Sequence, residues 1–294
     1  MTIKRVVGVI GGSGVYAIDS LAGASRRTIE TPWGAPSSPL TFGRLNGVDA
    51  IFLARHGEGH RTPPSEINYR ANIDALKRAG ATDVISLSAC GSFREELAPG
   101  TFVIVDQFID RTVGRPSSFF GTGCVAHVSM AEPVCHALGD ALEASLKSLA
   151  IPHRRGGVYV CIEGPQFSSR AESLFYRSSG ADVIGMTCMP EAKLAREAEL
   201  PYATVAMVTD FDCWRAESDA VDVASVVKVM AGNSERARRM AADVVARLGP
   251  TRTLTSQLIE SALDAAIMTT PEARDPALLK KLDAVAGRVL AASR

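Results

Sequence analysis

Two aspartates set two residues apart carry the sharpest chemical signal in the chain: Asp210 and Asp212, in Thr209-Asp210-Phe211-Asp212-Cys213-Trp214. They follow the apolar run 203–208 and so stand at a strand end, where persisting extension would point both carboxylates the same way. Neighbouring carboxyl groups in a dry pocket suit acid–base work, because burial and like charge both raise the affinity for a proton. A simple turn or a divalent-metal pair fits the same residues, although a metal would want further carboxylates or histidines close by.

Four other segments place reactive residue types at apolar run ends. In Gly8-Val9-Ile10-Gly11-Gly12-Ser13-Gly14 the glycines let backbone N–H groups approach an anion, and Ser13 adds a hydroxyl. With Ala17 this segment also satisfies the loose dinucleotide fingerprint GxGxxA, but Gly23 arrives too soon for the long helix that fingerprint opens. Arg55-His56 closes an apolar run before Gly57, offering a bidentate oxyanion clamp and a second donor; a surface arginine and a capping histidine compete as the bland account. Ser88 is a hydroxyl at the mouth of a buried strand, and Ala89-Cys90-Gly91 leaves room for a flat ligand. Phe167 follows a Gly-Pro turn where its ring could stack on another, while Ser169 and Glu172 read as a helix capping box. Gly185-Met186-Thr187 ends a further strand with a flexible apolar side chain and a hydroxyl.

The elements that must position these groups alternate. Strands are predicted at 6–10, 84–87, 102–105, 158–162, 183–186 and 203–208, with helices at 65–80, 133–150, 169–179, 190–200 and from Asp222 onward. Pro133 fits the first turn of its helix, where a missing N–H is harmless. Strands separated by helix-length patterns imply βαβ units and a mostly parallel sheet covered on both faces. Beyond Gly249 only helical stripes are legible, through Leu278, Leu282, Val285 and Val289. We therefore expect one α/β domain over 1–248 and a helical extension over 249–294, packed on that domain or on a neighbouring subunit. In such folds ligands sit beyond the carboxyl ends of strands, where all five segments lie.

Bulk properties narrow the class. The 294 residues carry 32 basic and 32 acidic side chains, which gives no basic face for nucleic acid and no pull toward a membrane surface. No apolar run is long enough to span a bilayer, and the start of the chain reads as a first strand rather than a signal peptide. Six cysteines without a CxxC pair suit reduced core thiols, hence an expected cytoplasmic location.

Taken in order from Val7 to Arg239, the stretches GVIGGSG, LARHG, NYRANI.AL, ACGS.REE, DQFIDRT, MAEP, IEGP.FSSRAES, GMT..PEA.LA and TDFDCW resemble the purine nucleoside phosphorylase family, on its methylthioadenosine-cleaving branch. The resemblance implies a central twisted mixed sheet flanked by helices. It implies a phosphate site made from Ser13, Arg55, His56, Ser88, Ala89 and Thr187, with serine at 13 and 88 where relatives often carry threonine. Met186 would lie against the ribose and Phe167 on the purine. Asp210 and Asp212 would face the base edge, with Ser168, Cys90 and Gly91 around it. His127, Val223 and Val226 would line the pocket for the 5' substituent.

The implied reaction is phosphorolysis of S-methyl-5'-thioadenosine, with inorganic phosphate as co-substrate and neither cofactor nor metal, in a homotrimer with sites near subunit contacts. In that chemistry Asp210 hands a proton to N7 of the leaving purine and Asp212 accepts from the exocyclic amine. The 6-oxo branch is known for asparagine at that discriminating position. A broader phosphorylase for adenosine-type substrates, a nucleosidase, a nicotinamide-dependent oxidoreductase and a non-catalytic nucleoside-binding protein are the alternatives. Arg55-His56 speaks against the nucleosidase, since a water nucleophile needs no oxyanion clamp.

Overall fold

The computed structural model describes residues 2–12, 21–215, 223–255 and 257–292; Ser13 and Asp222 lie outside them. In chain order the strands are β1 (Thr2–Lys4), β2 (Val6–Gly11), β3 (Ala22–Arg27), β4 (Leu40–Leu45), β5 (Val48–Ala54), β6 (Asp83–Ser92), β7 (Phe102–Val105), β8 (Gln107–Arg111), β9 (His153–Arg155), β10 (Val158–Ile162), β11 (Val183–Gly185), β12 (Tyr202–Asp210) and β13 (Thr251–Thr253). The helices are α1 (Tyr69–Arg78), α2 (His136–Ser148), α3 (Arg170–Ser178), α4 (Cys188–Glu197), α5 (Val223–Leu248), α6 (Pro276–Lys281) and α7 (Asp283–Ala292).

Eleven of the described strands form one sheet. It is mixed, as the resemblance implies, rather than mostly parallel as the βαβ spacing predicts. β3, β4 and β5 form an antiparallel meander, and β11 and β7 run antiparallel to β6 and β12 respectively. Residues alternate across the sheet: Ile51, Leu53 and Val84 face α1, α4 and α7, while Phe52, Ile85 and Leu87 face α2 and α5. Each face thus owns an apolar core, and the sheet is the partition between them.

β6 is the strand on which the site depends. Its last pair with β2 is Ile10↔Ser86, and β11 joins the same side only at Gly91 and Ser92. The sheet therefore forks at residues 87–90, while β12 follows the other side without interruption from Val84 to Cys90. Such a fork opens a crevice, as at the switch points of other open sheets.

Local chemistry sets where the helices begin. Asn68 caps α1 by accepting from the Ala71 N–H at 3.1 Å, so the predicted start at Ser65 shrinks to a short turn ahead of the helix. Ser169 and Glu172 form the expected capping box on α3. α2 does not open at Pro133: the Cys135 N–H bonds the Tyr202 carbonyl at 2.7 Å, and Gln257 accepts from the His136 N–H at 2.8 Å. Tertiary partners drawn from distant segments thus move that start by three residues.

The stretch after Gly249 also contains a strand that the sequence pattern hides. β13 pairs antiparallel with β1, and three residues are too few for a periodic signal. Leu282, Val285 and Ala286 are buried in the core that Ile73 and Leu76 of α1 share.

Candidate active site

A cavity of about 230 Å³ occupies the fork. Its walls bring together Arg55, His56, Ser88, Ala89, Cys90, Gly91, Phe167, Ser168, Met186, Thr187, Asp210, Asp212 and Val226. His127 is not among its lining; it stands exposed on a segment that pairs with the tail through Ala126 and Ile267. Val223 is the first residue of α5.

One end gathers the polar groups that the sequence assigns to an anion, in an arrangement different from the one it suggests. Arg55 directly follows β5 and is almost wholly buried, at 1% exposure. Its guanidinium already makes a bidentate pair with Glu191 of α4, Nε to Oε2 at 2.8 Å and Nη2 to Oε1 at 3.1 Å. It also donates to the Leu87 carbonyl at 2.9 Å and to Ser86 Oγ at 2.7 Å. Four of its five N–H groups are so committed, and Arg55 is not the free bidentate clamp expected of it. Burial opposes its charge, and the Glu191 carboxylate more than offsets that, so the guanidinium stays protonated. Glu191 in turn accepts from Ser86 Oγ at 2.6 Å and from the Tyr202 hydroxyl at 2.8 Å. Nothing in the sequence pattern sets Glu191 apart from the other charged residues of α4, Lys193, Arg196 and Glu197, as the partner of a buried arginine.

His56 is likewise an acceptor rather than the expected second donor. Burial pushes its pKa down to about 4, so the ring is neutral near pH 7. Nδ1 lies 2.9 Å from the Thr62 carbonyl and must carry the proton, which leaves Nε2 with a lone pair. The ring stacks on His60 with centroids 4.1 Å apart, and His60 also lines the cavity. Ser88 Oγ sits 3.1 Å from Thr187 Oγ1, and Thr187 does not spend its hydroxyl on capping α4. Two hydroxyls, the remaining Arg55 N–H and an imidazole lone pair therefore face one small volume.

The other end carries the carboxyl groups. Asp210 is the last residue of β12 and pairs with Gly91 of β6 across a register shift that follows Val208. Gly91 is required there, since a Cβ on it would lie 2.8 Å from Asp210 Oδ1. Extension does not persist to Asp212: its φ is +51° and its N–H bonds Asp210 Oδ1 at 2.8 Å, so a turn, not strand alternation, relates the two carboxylates. Burial raises the pKa of both. Thr209 Oγ1 lies 2.7 Å from Asp210 Oδ2 and 3.1 Å from the Cys90 carbonyl. Its single proton serves whichever acceptor the protonation state of Asp210 leaves open. Asp212 Oδ2 and Ser168 Oγ are buried without a hydrogen-bond partner, an arrangement that marks a place for a ligand.

Between the ends lie Met186, against which Gly164 packs closely, and the half-exposed ring of Phe167. The α5 side adds Met230, Asn233 and Ser234 beside Val226, and β12 adds Met207 and Thr209. The sequence pattern does not single these out: Val226 and Met230 read as part of one more apolar helix stripe, and Asn233 and Ser234 stand in no motif.

Residues 6–246 match the phosphorylase superfamily. The S-methyl-5'-thioadenosine phosphorylase of Bradyrhizobium diazoefficiens is 59% identical over 98% of this chain and 99% of its own, and that of Rhodospirillum rubrum is 58% identical over 98% of each. The crystal structure of a methylthioadenosine phosphorylase from an antarctic soil metagenomic library superposes with a TM-score of 0.90 at 45% identity, covering 96% of this chain and 99% of that one. The Schistosoma mansoni methylthioadenosine phosphorylase in complex with adenine gives 0.82 at 38% identity, over 88% of this chain and 96% of that one. This chain belongs to the phosphorylase superfamily, with S-methyl-5'-thioadenosine phosphorylases as relatives over nearly its whole length.

Proposed function

We propose that the chain catalyses phosphorolysis of S-methyl-5'-thioadenosine, giving adenine and 5-methylthioribose 1-phosphate. The observation that carries this reading is a single cavity with an anion end at Arg55, Ser88 and Thr187 and an orphan buried acceptor, Asp212 Oδ2, at the carboxyl end. The exocyclic amine of adenine is a donor of the kind that acceptor lacks, whereas a 6-oxo purine would set oxygen against oxygen. The apolar Val226, Met207 and Met230 suit a methylthio group.

In the reaction a phosphate oxygen attacks C1' of the sugar and the C1'–N9 bond breaks with its electron pair passing to the purine. Asp210, whose affinity for a proton burial raises, supplies that proton to N7. Thr209 then turns its O–H onto the carboxylate that Asp210 has become. The phosphate is held by the hydroxyls of Ser88 and Thr187, the remaining Arg55 N–H and the Ala89 backbone, with Ser13 completing the set. His56 Nε2 accepts the P–O–H of hydrogen phosphate, so the anion arrives with its own donor. Positioning and charge stabilisation carry the catalysis, with phosphate as co-substrate and no cofactor.

The same reading extends to a cytoplasmic salvage enzyme assembled as a homotrimer. Exposed Val113, Phe167, Leu174 and Phe175 support an oligomer, and a neighbouring subunit is what would bring His127 to a cavity. Methylthioadenosine incubated with and without phosphate tests the reaction. Adenine and a sugar 1-phosphate should form only when phosphate is present; adenine release indifferent to phosphate would overturn the proposal.

A further inference from the structure

We infer that Tyr159 is a positioning residue for the anion end of the site, orienting the hydroxyl of Ser88. The inference rests on the reading of Ser88 as a phosphate contact.

Tyr159 lies in β10 and is fully buried, with its hydroxyl 3.1 Å from Ser88 Oγ. The chain makes room for that hydroxyl at the expense of a side chain elsewhere. A Cβ on Gly185 of β11 would fall 1.8 Å from the Tyr159 oxygen, so the position next to Met186 has to be glycine. A ring wanted only for packing would need no such vacancy, since phenylalanine fills a core equally well.

The direction of the hydrogen bond follows from the available partners. Burial pushes the Tyr159 pKa well up, so the phenol keeps its proton and must place it. The Cys188 thiol also neighbours it, but sulfur is a weak acceptor and Ser88 Oγ is the better one. Ser88 Oγ has three oxygens around it: Tyr159 at 3.1 Å, Thr187 Oγ1 at 3.1 Å and the Ala89 carbonyl at 3.2 Å. With Tyr159 donating, the single proton of Ser88 is kept off the phenol and is shared among the Ala89 carbonyl, Thr187 Oγ1 and any anion in the cavity. Serine has an unbranched Cβ and three open rotamers, so an external partner is what selects one of them. The phenol performs that selection from outside the cavity, without touching the substrate.

Tyr159→Phe tests this by separate titrations of phosphate and nucleoside. The KM for phosphate should rise about fivefold, the effect of one neutral hydrogen bond, with kcat at saturating phosphate and the nucleoside KM within about twofold of wild type. Adding Ser88→Thr to Tyr159→Phe should return the phosphate KM to within about twofold, because a branched Cβ restricts the hydroxyl by itself. Ser88→Ala separates the two layers of the argument. If Ser88→Ala leaves the phosphate KM unchanged, the reading of Ser88 fails and the inference goes with it. If Ser88→Ala raises that KM and Tyr159→Phe does not, only the role of Tyr159 is overturned. A Tyr159→Phe enzyme that loses thermal stability and worsens in both KM values, without rescue by Ser88→Thr, would make the tyrosine merely structural and overturn it too.

Discussion

Asp212 is 5% exposed, held at a positive φ and left with one carboxylate oxygen unpartnered, a combination that favours a bound donor over an empty pocket. Replacing that acceptor by an amide changes what the base edge can present. Asp212→Asn should lower kcat/KM on the 6-amino nucleoside and admit 6-oxo nucleosides, moving the ratio between them by about 10²-fold. Equal ratios for variant and wild type would remove Asp212 from base selection. The two aspartates were legible in the sequence because they end an apolar run. Their relation was not, since the turn that orients Asp212 depends on a hydrogen bond back to Asp210. Arg55 was legible as a cation at a strand end, but the carboxylate that occupies it lies 136 residues further along.

Among the elements, α4 reaches furthest into the rest of the fold. Its Glu191 fastens Arg55, and six residues later Glu197 fastens the loop ahead of Phe119. Glu197 accepts from Ser118 Oγ at 2.6 Å and from the Phe119 N–H at 2.7 Å, yet burial pushes its pKa up to about 7. Its folded value thus exceeds the unfolded one of 4.5, and the folded state holds the extra proton between them. The stability this contributes is fully present below pH 4.5 and is lost as pH rises through 7. Glu197→Gln should flatten that dependence, so that wild type loses on the order of 1–3 kcal/mol more than the variant between pH 5 and pH 8. Denaturant melts at the two values measure it, and parallel slopes for both proteins would count against the assignment. Strand order is a different matter from strand existence: the fork in β6 was not readable, because pairing between β6, β11 and β12 is decided by side chains far apart in sequence.

Across the whole molecule, the first strand and the segment that follows α5 converge on the start of β6. Asp83 accepts from Arg5 Nε at 3.3 Å and from Arg252 Nη1 at 3.1 Å, while β13 lies against β1. The tail is part of the core it covers, with Leu282 fully buried against the α1 face. Leu282→Ala should destabilise the chain by about 2–5 kcal/mol and lower its melting temperature by several degrees, as a scanning melt would show. A melt that does not move would make the tail an appendage. Helical stripes in the tail were readable from the sequence; their docking was not, because amphipathicity names a face and not its partner.

β6 spans the site from end to end. On the proposed function Ser88 would serve the anion and Gly91 seats Asp210, the proposed proton donor, three residues apart on one extended segment, a span of about 10 Å at the usual rise. The strand is a ruler. On that reading the separation between nucleophile and leaving group is graduated in peptide units. Deleting or inserting a single residue between those marks would not loosen the site; it would turn one mark to the opposite face and leave the other reading a length that no substrate has.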